Sequence, residues 1–390
     1  MTGMEGGFEK GMDGTPYGYD YFSLRSGLEN CRIRFEKSKV GRVAFLGGSI
    51  TECGSWRDLV CQVLQQRFPE TKFEFINAGI SSTGSTPGAF RLERDVLGKG
   101  QVDLLFEDAA VNDQYNGFSD AAQIRGMEGI VRHARLVNPN MDIVVLEFVD
   151  PPKMAEINQG RTPSVIANNE RVAAYYNVPS INLAREVTER IRAGEFSWEK
   201  DFVELHPSQF GNELYARSIS RLFSAAWNKP LSDNAKQNPY ELPEKPLDAN
   251  SYYKGRLGDI HEAQISSGWV FNRSWKPDGE IETRKGFVDV PMLTGDQPGD
   301  VLTLKFTGTA IGIFTASGPD AGIVEYSIDQ GPFYEKDLFT EWSDRLHIPW
   351  AFVLADDLSP GAHEVTLRIS DKKNPGSKGN ACRIVNFLLN

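Results

Sequence analysis

A serine that follows two glycines at the end of an apolar run is the first residue in this chain that could do chemistry. The apolar run covers residues 43–46, and Gly47, Gly48 and Ser49 come directly after it. A serine hydroxyl becomes a nucleophile when a base takes its proton. On a turn from a strand into a helix, it lies at the helix N-terminus, where backbone N–H groups favour negative charge. The segment therefore predicts that Ser49 is a nucleophile placed beside donors for an anion.

A histidine much later in the chain is the candidate base. His206 lies in a loop between β/α elements, whereas His133 falls within a helical segment and the remaining three histidines fall in a strand-rich region: His261, His347 and His363. Histidine is the usual proton acceptor near neutral pH, and Pro207 keeps His206 out of the helix that follows. We therefore pair Ser49 with His206 as nucleophile and base.

The elements that must position these two residues alternate between strands and helices. Apolar runs predict strands at 43–46, 73–77, 102–106, 143–148 and 180–183, and helical periodicity predicts helices at 55–68, 120–137, 164–177 and 209–227. Continuously apolar strands are typical of a parallel sheet that helices cover on both faces. The first two-thirds of the chain therefore predict an α/β domain.

After a polar, proline-rich stretch the pattern changes to short strands. These recur at 301–306, 310–314, 323–328, 350–354 and 363–370, with turn residues between them. Regular short strands without helices indicate an antiparallel sandwich or jelly roll. We divide the chain into an N-terminal tail (1–24), an α/β catalytic domain (25–228), a proline-rich linker (229–257) and a β-sandwich (258–390) that could bind carbohydrate or rim the active site.

Four short blocks, taken in chain order, resemble the SGNH hydrolases, also called GDSL-type esterases. The serine block matches residues 46–51, the second block 77–81, the third 110–113 and the histidine block 205–207. The resemblance implies a flavodoxin-like, three-layer parallel sheet with the active site at the carboxyl ends of its strands. It also implies that the backbone N–H groups of Ser49 and Gly79 and the side-chain amide of Asn112 hold the oxyanion of acyl transfer.

One position departs from the family pattern. The family usually has an aspartate three residues before the histidine, where it orients the imidazole, and this chain has Val203 there. Glu204 lies two residues before His206, so in an extended loop their side chains face the same side, and we assign Glu204 as the orienting carboxylate. Two alternatives stay open: Asp201 through a looser turn, or a backbone carbonyl that leaves a Ser49–His206 dyad.

Composition argues against several classes of partner. The formal net charge of −11 argues against a nucleic-acid surface and against binding to an anionic membrane. No apolar run is long enough to span a bilayer, and the four cysteines have no metal-like spacing, so no cofactor or metal is expected. Residues 1–20 lack the pattern of a signal peptide, so we expect a cytoplasmic protein, or a secreted or periplasmic one if the chain is a mature form.

Together these features predict a serine hydrolase that acts on ester bonds. The specific form is a carbohydrate esterase that removes acetyl or similar small acyl groups from a glycan or small-molecule ester through an acyl-enzyme on Ser49. The glycan part rests on the analogy with SGNH domains joined to β-sandwiches. Two alternatives stay open: a non-catalytic glycan-binding protein with a degenerate esterase domain, and an SGNH esterase of other specificity, such as a methylesterase or a lysophospholipase-like enzyme.

Overall fold

A mixed sheet with helices on both faces forms the first part of the computed structural model, which describes residues 14–266 and 268–390. Within these residues its six strands are β1 Phe22–Ser23, β2 Val40–Gly47, β3 Lys72–Gly79, β4 Leu104–Glu107, β5 Asp142–Leu146 and β6 Ser180–Ile181. The spatial order is β1-β6-β5-β4-β2-β3, with β2 to β6 parallel and β1 antiparallel to β6. The parallel strands thus follow the flavodoxin-like order, which confirms the predicted α/β fold.

The helices cover the two faces of this sheet. Among the described residues they are α1 Glu29–Ile33, α2 Ser49–Cys53, α3 Trp56–Arg67, α4 Ser85–Asp95, α5 Ala110–Tyr115, α6 Asp120–Val137, α7 Pro151–Asn158, α8 Ser164–Tyr175, α9 Leu183–Arg192 and α10 Gln209–Ala226. α3 and α10 pack their apolar stripes on one face, α4 and α6 pack theirs on the other, and α8 contributes residues to both apolar clusters. None of the helices in the described part of the chain is long and apolar enough to cross a membrane.

Two packed sheets form the second part, as the strand pattern predicts. The strands in the described residues are β7 Arg256–Gly258, β8 Gln264–Ile265, β9 Val270–Trp275, β10 Glu282–Thr283, β11 Val290–Gly295, β12 Val301–Gly308, β13 Ile311–Ser317, β14 Ile323–Ile328, β15 Tyr334–Asp337, β16 Leu346–Ala355, β17 Gly361–Ile369 and β18 Cys382–Leu389. One sheet has the order β10-β16-β13-β18-β11-β9 with β7 also paired to β18, and the other has the order β15-β14-β17-β12-β8. The predicted β-sandwich is confirmed.

The first of these two sheets is buried on both faces. Its inner face packs against the second sheet through residues such as Ile313 and Phe387. On its outer face, Phe314 and Leu388 belong to the same apolar cluster as Phe90 of α4 and Ile130 of α6. The sandwich and the α/β domain therefore share buried apolar contacts.

The proline-rich segment 229–257, which we call the strap, packs along the α/β domain. Buried Glu128 of α6 accepts hydrogen bonds from the backbone N–H groups of Leu247 and Asp248. Tyr252 is 1% exposed, and its ring packs on Phe90 with the ring centroids 5.0 Å apart. The hydroxyl group of Tyr252 also donates to Oδ2 of Asp356 at 2.7 Å, so this end of the strap contacts both the helices and the sandwich. Residues 1–13 of the predicted tail lie outside the described residues, and the described remainder contributes β1 to the sheet.

Candidate active site

The turn that carries Ser49 brings three chain segments into close contact. Ser49 is the first residue of α2, and Gly48 joins that helix to the end of β2. A side chain at position 48 would overlap Oδ1 of Asn112 and would approach the carbonyl oxygen of Thr83 within 3.1 Å. Only glycine leaves room for this approach, so Gly48 lets the third block and the loop after β3 reach the serine turn.

The structure places the predicted nucleophile and base within hydrogen-bond distance. Nε2 of His206 lies 2.8 Å from Oγ of Ser49 across 157 residues of sequence. His206 is exposed and Ser49 is half-buried. This is the separation at which an imidazole can accept a proton from a hydroxyl group.

The loop that presents His206 has a strained backbone. It follows the π-helical turn Trp198–Phe202, and Ser208 caps α10 at its other end. Between them Val203 has φ 81° and ψ −61°, and the N–H of Glu204 bonds to the carbonyl oxygen of Phe202 at 3.2 Å. A β-branched residue rarely takes this γ-turn geometry, which costs free energy. The residue that replaces the family's aspartate is thus also the strained one.

The structure does not bring either candidate carboxylate to the imidazole. Oδ2 of Asp201 accepts hydrogen bonds from the N–H and Oγ of Ser197, at 2.7 and 3.2 Å. The side chain of Glu204 is exposed and forms no hydrogen bond to His206 within the described residues. Nδ1 of His206 has no hydrogen-bond partner in this part of the chain, and the geometry gives no support to the assignment of Glu204.

Asn112 and Ser49 offer two N–H groups at the serine turn. The side chain of Asn112, in α5, lies against Gly48, and its amide nitrogen has no hydrogen-bond partner among the described residues. The backbone N–H of Ser49 belongs to the first turn of α2, where no helical carbonyl is available to it. Both groups are therefore able to donate to an oxyanion.

Gly79 is held differently from the sequence-based expectation. Its N–H donates to Oδ1 of Asn77 at 3.0 Å. A Cβ at position 79 would overlap the backbone of Glu52 in α2. The glycine therefore allows β3 and α2 to pack closely, and its N–H is already paired.

Ser82 is a residue that the sequence reasoning missed. It has φ 72°, and its backbone N–H has no hydrogen-bond partner in the described part of the chain. Its carbonyl oxygen accepts a hydrogen bond from Nδ2 of Asn116 at 3.1 Å, which ties the loop to the end of α5. Serine carries no signal for a positive φ, so local sequence could not have found this position.

Several buried carboxyl groups lie beneath the serine turn. Oδ2 of Asp108 accepts a hydrogen bond from Oγ1 of Thr51 at 2.8 Å, and burial raises the pKa of Asp108 to about 6. Asp113 accepts hydrogen bonds from the N–H and Oγ of Ser85 at 2.8 and 2.6 Å, and burial raises its pKa to about 7. Burial also raises the pKa of Glu107 well above its usual range, and the nearby Asp108 carboxylate adds to this shift. Some of these buried carboxyl groups therefore carry a proton near neutral pH.

The buried side chain of Lys153 lies within this acidic region. Its Nζ forms an ion pair with Asp150 and donates to Oε1 of Gln114 at 2.7 Å. The charge of Lys153 lowers the pKa of Asp108 and of Asp113, although burial has the larger and opposite effect. No group of His, Cys, Asp and Glu side chains in residues 14–266 and 268–390 is arranged to hold a metal ion.

Comparison with known families and structures identifies the α/β part of the chain. Residues 45–214 match the GDSL-like Lipase/Acylhydrolase family, so this part is the domain of a carboxylic ester hydrolase. A comparison with curated proteins finds no match.

Two solved structures resemble nearly the whole chain. One is a two-domain esterase (CEX) active on acetylated mannans, co-crystallized with mannopentaose, with 21% identity and a TM-score of 0.74. The other is a structure of a two-domain esterase (CEX) active on acetylated mannans, with 20% identity and a TM-score of 0.75. Each similarity covers 94% of this chain and 96% of the other. The two-domain arrangement is therefore a shared fold.

Proposed function

Residues 45–214 belong to the GDSL-like lipase/acylhydrolase family, and from this premise we propose that the protein is a carbohydrate esterase that removes acetyl groups through an acyl-enzyme on Ser49. The observation that carries the proposal is the 2.8 Å separation between Oγ of Ser49 and Nε2 of His206. The backbone N–H of Ser49 and the side-chain amide of Asn112, which lies against Gly48, have no hydrogen-bond partner within the described residues, and acyl transfer needs such donors.

In the first half-reaction, Oγ of Ser49 attacks the carbonyl carbon of the ester while Nε2 of His206 takes the hydroxyl proton. The carbonyl oxygen becomes an oxyanion in the tetrahedral intermediate. When the intermediate collapses, the bond to the sugar oxygen breaks, and the imidazolium returns its proton to that oxygen. The products are the free sugar hydroxyl and acetyl-Ser49.

In the second half-reaction, water replaces the sugar hydroxyl. The oxygen of the water attacks the acetyl carbon while His206 takes a proton from the water, and a second oxyanion forms. Collapse of this intermediate breaks the bond to Oγ of Ser49, which regains the proton from His206. Acetic acid leaves and the enzyme returns to its starting state.

The oxyanion needs donors aimed at one point, and we assign three of them. They are the backbone N–H of Ser49, Nδ2 of Asn112 and the backbone N–H of Ser82, which takes the role expected of Gly79. The N–H of Gly79 is paired with Asn77, whereas that of Ser82 is unpaired within the described residues. Each such donor typically contributes about 100- to 1000-fold to kcat.

We also assign a Ser49–His206 dyad in place of a triad. Glu204 and Asp201 form no hydrogen bond with the imidazole among the described residues, and Nδ1 of His206 has no hydrogen-bond partner there. The imidazolium that forms during the reaction is therefore stabilised by solvent at its exposed ring. This arrangement predicts slower turnover than a complete triad gives.

The proposal that the substrate is an acetylated polysaccharide rests on two observations. The chain shares its two-domain fold with an esterase active on acetylated mannans over 94% of its length. The sandwich packs on α4, whose first residues lie beside the loop that holds Ser82. This supports a glycan ester as the substrate over the esters of a methylesterase or a lysophospholipase-like enzyme.

Acetate release from acetylated mannan and from p-nitrophenyl acetate tests the proposal. We expect the wild type to release acetate from both and Ser49→Ala to lose at least about 10⁴-fold in kcat, because the nucleophile is gone. Equal rates for the two proteins would show that the esterase site is degenerate. If the protein hydrolyses a methyl ester or a lysophospholipid faster than acetylated mannan, the proposed glycan substrate is wrong and the faster ester takes its place.

A further inference from the structure

Arg91 is a fully buried arginine on α4 that the reaction steps above do not use. Its side chain is 1% exposed, so its positive charge is removed from water. Burying a charge is unfavourable unless the surrounding groups hydrogen-bond to it. The hydrogen bonds that compensate this burial therefore indicate the role of Arg91.

The guanidinium group joins the ends of two strands. Nη1 donates to the carbonyl oxygen of Ala78 at 2.6 Å, and Nη2 donates to the carbonyl oxygen of Gly47 at 3.0 Å. Nη2 also lies 3.4 Å from Oγ1 of Thr83. Asp95, one turn later on α4, forms an ion pair with Nη1 at 3.1 Å.

Three of these partners, Gly47, Ala78 and Thr83, are next to a part of the candidate site. Gly47 ends β2, just before Gly48 and Ser49. Ala78 lies near the end of β3, from which the loop leads to Ser82, and Thr83 follows Ser82 directly. One rigid group thus connects the segment that carries the proposed nucleophile to the loop that carries the N–H of Ser82.

The shape of the guanidinium explains why an arginine is used here. Its planar fork presents N–H groups at fixed angles, so it can bind two carbonyl oxygens on neighbouring strands at the same time. A lysine ammonium is a point charge on a flexible stem and lacks this fixed spacing. Burial lowers the pKa of Arg91 while Asp95 raises it, and the group stays charged. Its hydrogen bonds are therefore charge-assisted and strong.

The remainder of α4 keeps Arg91 in place. Phe90, its neighbour, packs on Tyr252 of the strap, and Ala89 lies in the same buried cluster as residues of the sandwich. The helix cannot move away from the strand ends without breaking these contacts. The strap and the sandwich thus support the helix that holds the two site segments.

We propose that Arg91 is a positioning residue that sets the spacing between the backbone N–H groups of Ser49 and Ser82, and so shapes the oxyanion hole. The proposal rests on the esterase function proposed above. A misplacement of about 1 Å in such a site can reduce the rate about 100-fold. Because the oxyanion exists only in the transition state and the intermediates, the effect falls on kcat and leaves KM nearly unchanged.

Arg91→Lys is the first variant, and Arg135→Lys is its matched control. Arg135 of α6 is also 1% exposed and also donates to a backbone carbonyl, that of Tyr176 at 2.5 Å, but within the described residues it forms no hydrogen bond to a site segment. We expect Arg91→Lys to lower kcat on p-nitrophenyl acetate about 100-fold with KM within about twofold. We expect Arg135→Lys to lower the unfolding temperature while kcat stays within about twofold.

A second variant covers the case in which Arg91→Lys does not fold. Thr83→Val keeps the side-chain shape and removes the hydroxyl group, which lies 3.4 Å from Nη2 of Arg91 and donates to the carbonyl oxygen of Ile80 at 2.6 Å. It should lower kcat about tenfold without a matching change in KM. Unchanged kcat in a folded Arg91→Lys or Thr83→Val protein, or an equal loss in Arg135→Lys, overturns the proposal. Equal activity of the wild type and Ser49→Ala would instead overturn the esterase function. The failure of this proposal and the failure of the esterase function can therefore be told apart.

Discussion

The turn that carries Ser49 and the loop that carries His206 meet at one hydrogen bond, yet the protein holds them by different means. The serine turn is fixed by side chains from three other elements: buried Asp108 after β4, buried Arg91 in α4 and half-buried Asn112 in α5. The histidine loop is exposed at Val203, Glu204 and His206. It is held by its own backbone, including the strained turn at Val203, and by Nδ2 of Asn212, which donates to the carbonyl oxygen of Pro207 at 2.8 Å.

This difference shows which part of catalysis the fold organises in advance. The proposed donors for the oxyanion are set in place by packed elements, so they need no rearrangement when charge develops. The base has no partner on Nδ1 among the described residues, so its ring orientation depends on the hydrogen bond to Ser49 and on solvent. We therefore expect the two sides to respond differently to substitution.

Loss of the base should have the largest effect. His206→Ala removes the proton acceptor 2.8 Å from Oγ of Ser49, and we expect kcat to fall by about 10⁴-fold or more. The residual rate should still exceed the rate of uncatalysed hydrolysis in water, because the proposed oxyanion donors remain. Steady-state hydrolysis of p-nitrophenyl acetate measures this. A loss below about tenfold would mean that His206 is not the base.

Loss of one donor on the rigid side should come next. Asn112→Ala removes the side-chain amide beside Gly48, and we expect kcat to fall about 100- to 1000-fold with little change in KM. Asn112→Asp is the matched variant, because it keeps the shape and cannot donate when ionised. An effect on KM alone for either variant would contradict the assignment.

On the histidine side, one substitution should increase activity. Val203→Asp places a carboxylate where the related family has one, and aspartate tolerates a positive φ better than valine does. We expect kcat to rise about tenfold, since an orienting carboxylate is worth up to about 10⁴-fold in a complete triad. The measurement is kcat for the variant and for Val203→Asn, which has the same shape without the charge.

The control for this experiment is the carboxylate that is already present. Because Glu204 forms no hydrogen bond to the imidazole in the described structure, Glu204→Gln should change kcat by less than about twofold. Equal rates for Val203→Asp and Val203→Asn would show that the backbone, not the charge, limits His206. A loss of about 100-fold or more in Glu204→Gln would restore Glu204 as the orienting group.

The smallest expected effect concerns stability and the buried acids of the rigid side. Burial raises the pKa of Asp108 to about 6 and that of Asp113 to about 7. Between about pH 4 and pH 7 the folded protein therefore keeps protons that the unfolded chain has released. The free energy of unfolding should then decrease by up to a few kcal/mol as the pH rises through this window.

Thermal unfolding at pH 5 and at pH 8 measures this decrease. Asp113→Asn should flatten the pH dependence, because the amide oxygen can still accept the Ser85 N–H and carries no charge to bury. Asp344→Asn, which changes an exposed carboxylate, should leave the pH dependence as in the wild type. A wild-type unfolding temperature that increases from pH 5 to pH 8 would contradict the raised pKa values.

The predicted strands and helices of the α/β domain match the structure where apolar periodicity is strong. The helix predicted at 120–137 coincides with α6, whereas α4 was missed because Pro87 and Gly88 in its first turn resemble a loop. α4 is helical because its buried face packs on α6 and on the strap. Tertiary packing thus outweighed the weak helix propensity of these residues.

The sequence by itself determined the five parallel strands β2 to β6, and with them the edge of the sheet where Ser49, Asn112 and His206 meet. Apolar spacing and glycine turns act over a few residues, so they can be read locally. Tertiary structure alone decided the partners of the backbone groups: Gly79 is paired, and Ser82 has a positive φ and an unpaired N–H in the described chain. Such partners come from segments distant in sequence, and local residue patterns carry no information about them.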